Sequence, residues 1–487
     1  MNAFARRHAA WLILVLALAV RCTRLSAKNL WLDESASWDL ATGTVTRLIA
    51  KAAGDVHPPL YYVLLKGWVA LFGDSLAAMR GLSVMASMAA LALFYRLALG
   101  FMPRGVALTL LLWGALSPHS IYHAQEARMY APVTALVLGA AVAYRAWIDS
   151  GFRRQGALAL YVLCAASALY VHYFSVLFLL ALSGHFLFLS FDRVSAKLGN
   201  FKKRWALWVT AHIVVAVTYL PWIHTAIAQV TKGQAWRAPV TRAQMPRYAV
   251  IVIRNFVLGP CYVPSFHSIP TVFAFLVLAV GIGSVVFVVM RAGRSERDVF
   301  ALMVGILPIV LGLALLPKSG HMDLSRYLVF SGLLLLFAAA RGVSSLGMSE
   351  KKQIYTLLLA CLAVVPSLRA YIALDSTDAD ARPLVAYLQH AIPATHASES
   401  RKVLVVGHLM SAVRYIARDS LSLNGGHTSN AVLDSLGANR PEARPGWIIV
   451  DYRWPAFDSL THDARASEVD VPGGMRRLIR LFRVLPL

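Results

Sequence analysis

Two acidic residues and a histidine near the start of the chain have the types and the spacing that acid–base chemistry needs. Asp33 and Glu34 are adjacent, and His57 follows in an Asp-Val-His-Pro-Pro run at residues 55–59. All three come after the first apolar stretch, where a carboxylate is costly to remove from water. A carboxylate pair on the wet face of a membrane protein could take a proton from a hydroxyl group. The structural alternative is that Asp33 and Glu34 only cap a helix and that His57 is an ordinary loop residue.

A second segment, residues 117–130, is dense in side chains that bond hydroxyl and phosphate groups. It carries Glu126, Arg128 and Tyr130, together with two histidines. An arginine presents a planar fork of donors that matches a phosphate, so Arg128 is a candidate phosphate ligand. Glu126 and Tyr130 are candidates for positioning a substrate. The alternative is a local ion pair between Glu126 and Arg128, and the two histidines alone do not indicate a metal site.

A third segment, residues 317–327, brings further cationic groups near one another along the chain. Lys318, His321 and Arg326 could converge on one anion, because lysine offers a point charge and arginine a fork of donors. Tyr327, next to Arg326, is a candidate for positioning the substrate. The alternatives are that Arg326 extends to lipid phosphates and that Lys318 and His321 are solvated loop residues.

The composition of the chain indicates a membrane protein with many spans. Of its 487 residues, 58% are hydrophobic and 15% are charged, and the mean hydropathy is +0.60. Soluble domains average about 45–50% apolar and about 25% charged residues. The net charge of +23 comes from basic residues between apolar runs, a pattern typical of cytoplasmic loops on anionic lipid. We therefore expect membrane lipids as partners and no nucleic acid.

Span length predicts the transmembrane helices. A helix that crosses about 30 Å of hydrocarbon needs about 20 apolar residues. About eleven stretches approach this length, at residues 8–25, 81–99, 105–117, 131–148, 157–174, 175–191, 206–224, 270–290, 300–316, 325–341 and 354–372. The basic residues in alternate connections place the N-terminus in the cytoplasm and the three polar segments on the outer face. The predicted fold class is an all-α polytopic membrane protein with a small C-terminal α/β domain on the outer face.

The first outer loop, residues 26–80, contains a helix of a different kind. Residues 60–72 have apolar side chains with helical periodicity but are too few to cross a bilayer. They predict an interfacial helix that lies along the membrane. Such a helix could form the floor of a site that faces both lipid and water, which suits a substrate with a lipid tail and a polar head.

Beyond residue 374 the sequence pattern changes to that of a small α/β domain. Its features are short apolar runs that predict strands at 403–406 and 447–450, helical spacing at 380–391 and 409–416, a turn at 424–426, and an edge strand or amphipathic segment at 476–483. We therefore predict a transmembrane domain at residues 1–374, which includes the outer loop with its interfacial helix. A small extracytoplasmic domain follows at residues 375–487.

Several of these motifs, taken in order, resemble those of one family. They are Asp33-Glu34, the His-Pro-Pro-Leu-Tyr-Tyr run at 57–62, the Gln-Glu-Ala-Arg-Met-Tyr-Ala run at 125–131, the Tyr-Leu-Pro-Trp run at 219–222 and the Ser-Arg-Tyr run at 325–327. Over roughly residues 10–340 the chain resembles bacterial membrane glycosyltransferases of the GT-C fold. These belong to the glycosyltransferase family 39-like superfamily of protein O-mannosyltransferases and lipid A aminoarabinose transferases.

The resemblance implies an enzyme of the bacterial inner (plasma) membrane whose active site faces the periplasm. Its donor would be a sugar linked to a polyprenyl phosphate, and its acceptor a hydroxyl of a cell-envelope glycolipid or polysaccharide. Asp33 matches the family's first-loop acid and is expected to be the catalytic base, with Glu34 and His57 beside the substrate. The mannosyltransferases often continue the His-Pro-Pro element with Gly-Lys, where this chain has Leu60-Tyr61. A protein acceptor is therefore not supported.

Two other functions stay open at this point. A transporter or flippase for a lipid-linked sugar would explain the spans and the cations, but it would favour charged residues within the spans. A non-catalytic assembly subunit would hold the outer domain at the membrane. For the transferase, a single displacement at the anomeric carbon predicts inversion. No cofactor and no metal-ligand set is indicated, and the use of a divalent cation stays open.

Overall fold

The structure of the chain is a computed structural model. It describes residues 3–28, 30–191, 201–232, 240–260, 269–290, 295–319, 322–362, 364–373, 402–406, 422–426, 447–451, 466–469 and 479–484. The chain divides into two compact units. The helical unit consists of Met1–Thr23, Thr44–Leu71 and Ala78–Ala373, and the second unit consists of Arg24–Gly43, Phe72–Ala77 and Leu374–Leu487.

Most of the described residues are helical. The helices in chain order are α1 (Ala3–Cys22), α2 (Leu32–Thr42), α3 (Val45–Gly54), α4 (Leu60–Phe72), α5 (Leu76–Leu99), α6 (Arg104–Leu116), α7 (Pro118–Ala124), α8 (Tyr130–Asp149), α9 (Gln155–Val171), α10 (Ser175–Phe191), α11 (Phe201–Lys232), α12 (Met245–Leu258), α13 (Ile269–Met290), α14 (Glu296–Ser319), α15 (Leu324–Tyr327), α16 (Val329–Ser345), α17 (Glu350–Leu362) and α18 (Val365–Ala373), with a short 3-10 helix at Arg242–Gln244. Each predicted span falls on these helices, but the span at 325–341 is divided between α15 and α16, and the last is divided between α17 and α18.

Length and apolar character mark part of this set as membrane-crossing. In the described part of the chain, five helices are long and apolar enough to cross a bilayer: Leu76–Leu99, Tyr130–Asp149, Phe201–Thr231, Glu296–Pro317 and Glu350–Ala373. Shorter apolar helices accompany them at His8–Cys22, Leu60–Phe72, Arg104–Leu116, Gln155–Val171, Ser175–Phe191 and Val329–Ser345. The predicted polytopic all-α architecture is confirmed.

Helix α4 has the bounds that its sequence predicts. Pro58 and Pro59 cannot continue a preceding helix, and Val63 N bonds the carbonyl of Pro59 at 3.1 Å, so the helix begins at Leu60. It ends at Phe72, before Gly73, whose φ of +80° leaves the helical region. Its existence is therefore confirmed, whereas its place along the membrane stays a prediction.

Helix α16 lies at the centre of the helical unit and is buried along most of its length. Small residues let its neighbours approach closely, which favours helix association in lipid. A Cβ atom added to Gly342 of α16 would lie 1.6 Å from the carbonyl oxygen of Gly281 on α13. Only glycine fits there, because the two backbones are in direct contact.

The end of α8 that is far from Tyr130 is held by ion pairs. The Arg145 guanidinium binds Glu296 of α14 and Asp149 of α8, each with an N–O distance of 2.6 Å. Arg145 is buried, so these partners supply the charge compensation that a buried guanidinium requires. Helix α8 is thus fixed at one end, and it presents Tyr130 at the other.

Helix α12 ends at a glycine that the backbone requires. Gly259 has φ +82°, a left-handed conformation that residues with a Cβ atom avoid. A Cβ atom there would lie 3.0 Å from Pro118 Cβ and 3.3 Å from His119 N. The glycine therefore allows the end of α12 to pack directly on the start of α7.

We expect Gly259→Ala to lower the thermal midpoint of the detergent-purified protein. The left-handed backbone alone costs about 1 kcal/mol or more with alanine, and the close contact with α7 adds to this cost. Gly73→Ala is the matched control, because Gly73 has φ +80° but a Cβ atom there meets nothing within 4 Å. An equal loss of stability in the two variants would contradict the packing argument.

The second unit contains α2 and a mixed sheet of five strands in its described residues. The strands are β1 (Lys402–Val406), β2 (Ser422–Gly426), β3 (Trp447–Asp451), β4 (Ala466–Val469) and β5 (Ile479–Val484), and their order in the sheet is β2-β1-β3-β5-β4. β1 pairs in parallel with β2 and β3, whereas β5 pairs antiparallel with β3 and β4. The strands predicted at 403–406 and 447–450 are confirmed as parts of β1 and β3.

Two local predictions in this unit are wrong. The predicted turn at 424–426 forms the end of β2, where Gly425 and Gly426 pair with Val405 and Val406 of β1. Glycine is permitted in extended backbone as well as in turns, so its presence alone does not decide between them. The segment interpreted as an edge strand forms β5, which lies between two partners. The helices predicted at 380–391 and 409–416 lie outside the described residues.

Candidate active site

Helix α7 and the connection after it carry several of the candidate residues. The helix begins at Pro118, whose missing N–H suits the first turn. The Ser117 side chain caps it by accepting a hydrogen bond from Ser120 N at 3.3 Å. These local signals fix where the helix begins and therefore the direction in which its two histidines point.

The other end of α7 is anchored by one glutamine. Gln125 Nε2 donates to the carbonyl oxygens of Arg21 and Thr23, at 2.9 Å in both cases. Gln125 Oε1 accepts a hydrogen bond from the Tyr371 hydroxyl at 2.7 Å. The amide therefore ties the connection to the end of α1 and to α18.

Arg128 is buried in this connection, with 2% of its surface exposed. Its Nη1 atom lies 3.4 Å from the hydroxyl of Tyr62 on α4. Its carbonyl accepts a hydrogen bond from Ser83 Oγ on α5 at 3.3 Å. A guanidinium away from bulk water attracts an anion more strongly than one on an exposed loop. This position suits phosphate binding, which stays a prediction.

Glu126 is buried and forms a close pair with His123. Glu126 Oε2 lies 2.9 Å from His123 Nδ1, and the imidazole donates this hydrogen bond to the carboxylate. The His123 ring packs on Tyr130 with 4.9 Å between ring centres. Burial, and then the charge of Arg326, lower the pKa of His123 to about 3. His123 is therefore neutral near pH 7 and contributes hydrogen bonds rather than charge.

Arg326 lies on α15 and reaches the same group of side chains. Asp323 caps this short helix, because its Oδ1 atom accepts a hydrogen bond from Arg326 N at 3.3 Å. The guanidinium carbon of Arg326 lies 5.0 Å from the centre of the Tyr130 ring, within cation–π distance. Tyr327 stacks on Phe174 with 5.3 Å between ring centres. Residues from α8 and α15 thus lie side by side, although 196 positions separate Tyr130 from Arg326.

His57 is paired with Asp55 at the entrance to α4. His57 Nδ1 lies 3.2 Å from Asp55 Oδ2. Burial by itself raises the pKa of Asp55, but the hydrogen bond and the charge of His57 outweigh it, so that pKa lies below its ordinary value. A carboxylate in this place orients the imidazole ring.

His172 lies beside these residues, although the sequence pattern does not single it out. It is buried between α9 and α10, with its ring centre 6.1 Å from Tyr130, 6.3 Å from His57 and 5.6 Å from Tyr327. One sequence signal could have found it: a polar residue inside a predicted span is a candidate for function.

These contacts define the histidine–arginine cluster, which consists of His57, His123, Glu126, Arg128, Tyr130, His172, Arg326 and Tyr327. All of its members belong to the helical unit. Six of them are site residues proposed from sequence: His57, Glu126, Arg128, Tyr130, Arg326 and Tyr327. The cluster combines two guanidinium groups with three imidazoles, two phenols and the Glu126 carboxylate, a set whose cations and N–H and O–H donors can bind an oxyanion and the hydroxyls next to it.

Asp33 and Glu34 belong to the second unit, in the first turn of α2. Glu34 is buried, and its Oε2 atom accepts a hydrogen bond from Trp31 N at 3.4 Å, so this carboxylate caps the N-terminal turn of α2. Glu34 therefore caps a helix, as the structural alternative predicted. Asp33 is partly exposed. Its role as base, like the positioning role of Glu34, stays a prediction.

The remaining phosphate candidates lie at the end of α14 and just after it. Lys318 is in the last turn of α14, but its side chain lies outside the described residues, as does all of His321. Their roles stay predictions. Within the described ranges, no three His, Cys, Asp or Glu side chains come together as a metal ion would require.

A small cavity lies next to the cluster. Its volume is about 20 Å³, enough for about one water molecule. Its polar lining residues are Ser87, Ser117, His119, Ser120, His123 and Thr134. The rings of His119 and His123 meet edge to face there, with 4.8 Å between ring centres.

We expect the protein to lose stability in acid partly through His119. Burial, and then the charge of His123, lower the pKa of His119 from 6.5 to about 3. Between these values the unfolded chain takes up a proton that the folded protein does not, so stability falls as the pH falls from about 6.5 toward 3. His119→Phe removes this group. The free energy of unfolding of the variant, relative to that of the parent protein, should rise on acidification by up to about 1.4 kcal/mol per pH unit. Thermal unfolding in detergent from about pH 8 to about pH 4 tests this, and parallel profiles would contradict it.

Comparison with known proteins agrees with this architecture. No protein-family model and no curated protein matches the chain. The archaeal oligosaccharyltransferase AglB from Archaeoglobus fulgidus, in complex with an inhibitory peptide and a dolichol-phosphate, is similar over 92% of this chain and 70% of that chain, with a TM-score of 0.53 and 12% identity. ArnT from Cupriavidus metallidurans in the apo state is similar over 96% of this chain and 97% of that chain, with a TM-score of 0.57 and 12% identity.

A second ArnT structure, bound to undecaprenyl phosphate, covers the same 96% and 97% with a TM-score of 0.56 and 12% identity. At this level of identity the likeness is one of fold. The chain has the GT-C fold of polytopic membrane glycosyltransferases.

Proposed function

Starting from the GT-C fold, we propose that the chain transfers a sugar from a polyprenyl-phosphate donor to a hydroxyl of a cell-envelope glycolipid or polysaccharide. The similar structures contain lipid phosphates without a sugar, a dolichol-phosphate in AglB and undecaprenyl phosphate in ArnT, which are of the kind that would carry the sugar in the proposed donor. The enzyme of this proposal is a hexosyl or pentosyl transferase in the bacterial inner membrane, with its active site on the periplasmic face. The transmembrane domain at 1–374 performs the reaction, and the outer domain at 375–487 accompanies it.

One observation carries this proposal: Arg128, which is buried beside Tyr62, and Arg326, which lies 5.0 Å from the centre of the Tyr130 ring, bring two guanidinium groups into the histidine–arginine cluster. They come from connections that are distant in the sequence. A guanidinium group presents a planar fork of donors, and phosphate matches that geometry. Tyr130 lies next to Arg326, and Tyr62 lies next to Arg128, so aromatic rings and hydroxyls surround the charges. A phosphate on a lipid carrier fits these features.

The reaction follows from these roles. Asp33 accepts the proton of the acceptor hydroxyl while the hydroxyl oxygen attacks the anomeric carbon of the sugar. The bond from that carbon to the phosphate oxygen breaks, and the polyprenyl phosphate leaves with the electron pair. Arg128 and Arg326 stabilise the charge that forms on the phosphate, an effect worth on the order of 10²-fold in rate for each donor. A single displacement inverts the anomeric configuration.

The test is transfer of a radiolabelled sugar by the purified full chain. The donor is a polyprenyl-phosphate sugar in detergent, and the acceptor is an extract of envelope glycolipids. The proposal expects labelled acceptor together with free polyprenyl phosphate. Movement of intact donor across a vesicle membrane without bond cleavage would support the flippase. The absence of both transfer and transport would support the assembly subunit.

A divalent cation is tested in the same assay. In the described part of the chain no three metal-donor side chains lie together, and the steps above use residues of the chain alone. One AglB structure is a complex with Zn and sulfate. We therefore propose that the assay be repeated after chelation, and activity that returns only with added Mn²⁺ or Mg²⁺ would show that a divalent cation takes part in the reaction.

A further inference from the structure

His172 is held in one orientation by its own backbone surroundings. Its carbonyl accepts a hydrogen bond from Ser175 Oγ at 2.7 Å, and its N–H bonds the carbonyl of Ala168 at 2.8 Å. Its Nδ1 atom accepts a hydrogen bond from Phe174 N at 3.3 Å. A neutral imidazole that accepts at Nδ1 carries its proton at Nε2. His172 therefore offers a fixed N–H donor.

This donor is buried and unused by the described part of the protein. His172 is 2% exposed, and its Nε2 atom makes no hydrogen bond with any described residue. A buried donor without an acceptor is unfavourable by about 1–3 kcal/mol, and most buried polar atoms are paired. An unpaired donor in a native protein is therefore a candidate for binding a ligand.

The surroundings of His172 indicate the kind of acceptor. Its ring is flanked by Tyr130, Tyr327 and His57 at ring-centre distances of 5.6–6.3 Å. The charges of Arg128 and Arg326 both act on it. Two cations and a neutral N–H donor at one place select a ligand with several acceptor oxygens and negative charge.

We infer that His172 Nε2 donates a hydrogen bond to a phosphate oxygen of the lipid-linked donor that Arg128 and Arg326 hold. This inference rests on the proposed function and adds a residue to it. The neutral imidazole supplies direction where the guanidinium groups supply charge. It orients the phosphate, and so turns the anomeric carbon toward the acceptor.

The experiment measures binding of undecaprenyl phosphate, with undecaprenol as the matched lipid that lacks the phosphate. His172→Phe keeps a flat ring without the donor, whereas His172→Gln places an amide N–H near the position of Nε2. We expect His172→Phe to weaken binding of undecaprenyl phosphate by about 10- to 100-fold, the worth of a hydrogen bond to a charged acceptor. His172→Gln should recover most of this loss, and binding of undecaprenol should not change.

Further variants keep the test decisive. His212→Gln is the control, because the hydrogen bonds of that histidine join α11 to Tyr161 and Ser183. If His172→Phe does not fold, His172→Asn replaces it, since its shorter amide cannot reach the position of Nε2. Folding of every variant is checked by its thermal midpoint without ligand.

The outcomes separate the inference from the proposed function. If the parent protein does not prefer undecaprenyl phosphate over undecaprenol, the proposed function fails, and the inference fails with it. If the parent protein shows this preference and His172→Phe or its folded substitute keeps it, the inference alone is overturned. Slower transfer with unchanged phosphate binding would place the contact on the sugar, and would also overturn the inference.

Discussion

Asp33→Asn is expected to slow sugar transfer by about 10²- to 10⁴-fold, the usual range for a lost general base. An amide cannot accept the proton of the acceptor hydroxyl, whereas the positively charged groups that hold the donor are unchanged. Binding of undecaprenyl phosphate and the thermal midpoint should therefore stay close to those of the parent protein. The measurement is initial transfer rate at saturating donor, with donor affinity determined separately.

The substitution also separates the base from the helix cap. Asp33 is the second residue of α2, whose N-cap is Trp31, so Asp33→Asn leaves the N-cap in place, and an unchanged thermal midpoint would separate a loss of rate from a loss of helix stability. Asp39→Asn is the matched control, because Asp39 is another acid of α2 and has no proposed part in transfer. It should keep most of the transfer rate. Undiminished turnover in Asp33→Asn would remove Asp33 from the mechanism.

Arg326→Ala is expected to weaken binding of undecaprenyl phosphate by about 10²-fold, because it deletes a charged donor from the histidine–arginine cluster. Arg326→Lys keeps the charge but loses the planar fork and the stacking on Tyr130, so it should recover only part of the affinity. Affinity is measured by the ligand-dependent shift of the thermal midpoint, with undecaprenol as the uncharged comparison.

Arg154→Ala supplies the control for this second result. Arg154 is an exposed arginine at the start of α9, on the predicted cytoplasmic side. Its removal lowers the net charge by the same amount as Arg326→Ala but leaves the histidine–arginine cluster unchanged. Equal losses of affinity in the two alanine variants would mean that general charge attraction, and not a phosphate site, explains the binding.

Hydropathy, together with the prolines and glycines that end helices, is enough to predict most helices of the helical unit. Helix α4 is the clearest case, since Pro58, Pro59 and Gly73 bound one apolar helical run on both sides. The spans are equally direct, because bilayer thickness sets a length that the chain must match. The last span shows the limit of this argument: hydropathy does not reveal the boundary between α17 and α18.

The cluster was predictable only in part, and for a physical reason. Arg128 and Arg326 could be proposed because polar groups in outer loops of a membrane protein need an explanation. Their approach to Tyr130 and Tyr62 depends on how α4, α8 and α15 pack, which no local pattern encodes. His172 ends an apolar helix, so its burial follows from α9 and α10 and not from its neighbours in sequence.

The second unit shows why short strands are harder to predict. Strand β2 ends in Asn-Gly-Gly, which local rules assign to a turn, yet pairing with β1 holds it extended. Strand β5 is rich in arginine, so its composition suggests an edge, but β3 and β4 pair with it on both sides. In both strands, contacts with residues far along the chain decide the outcome.

Helix α7 is only seven residues long, yet it carries both His119 and His123. A free helix shorter than about 12–15 residues is barely populated in water. The hydrogen bonds of Ser117 at one end and of Gln125 at the other must therefore keep α7 helical. A synthetic peptide of this segment would therefore not reproduce the site. Transfer of the motif into another protein would also require the groups that hydrogen-bond to the Gln125 amide.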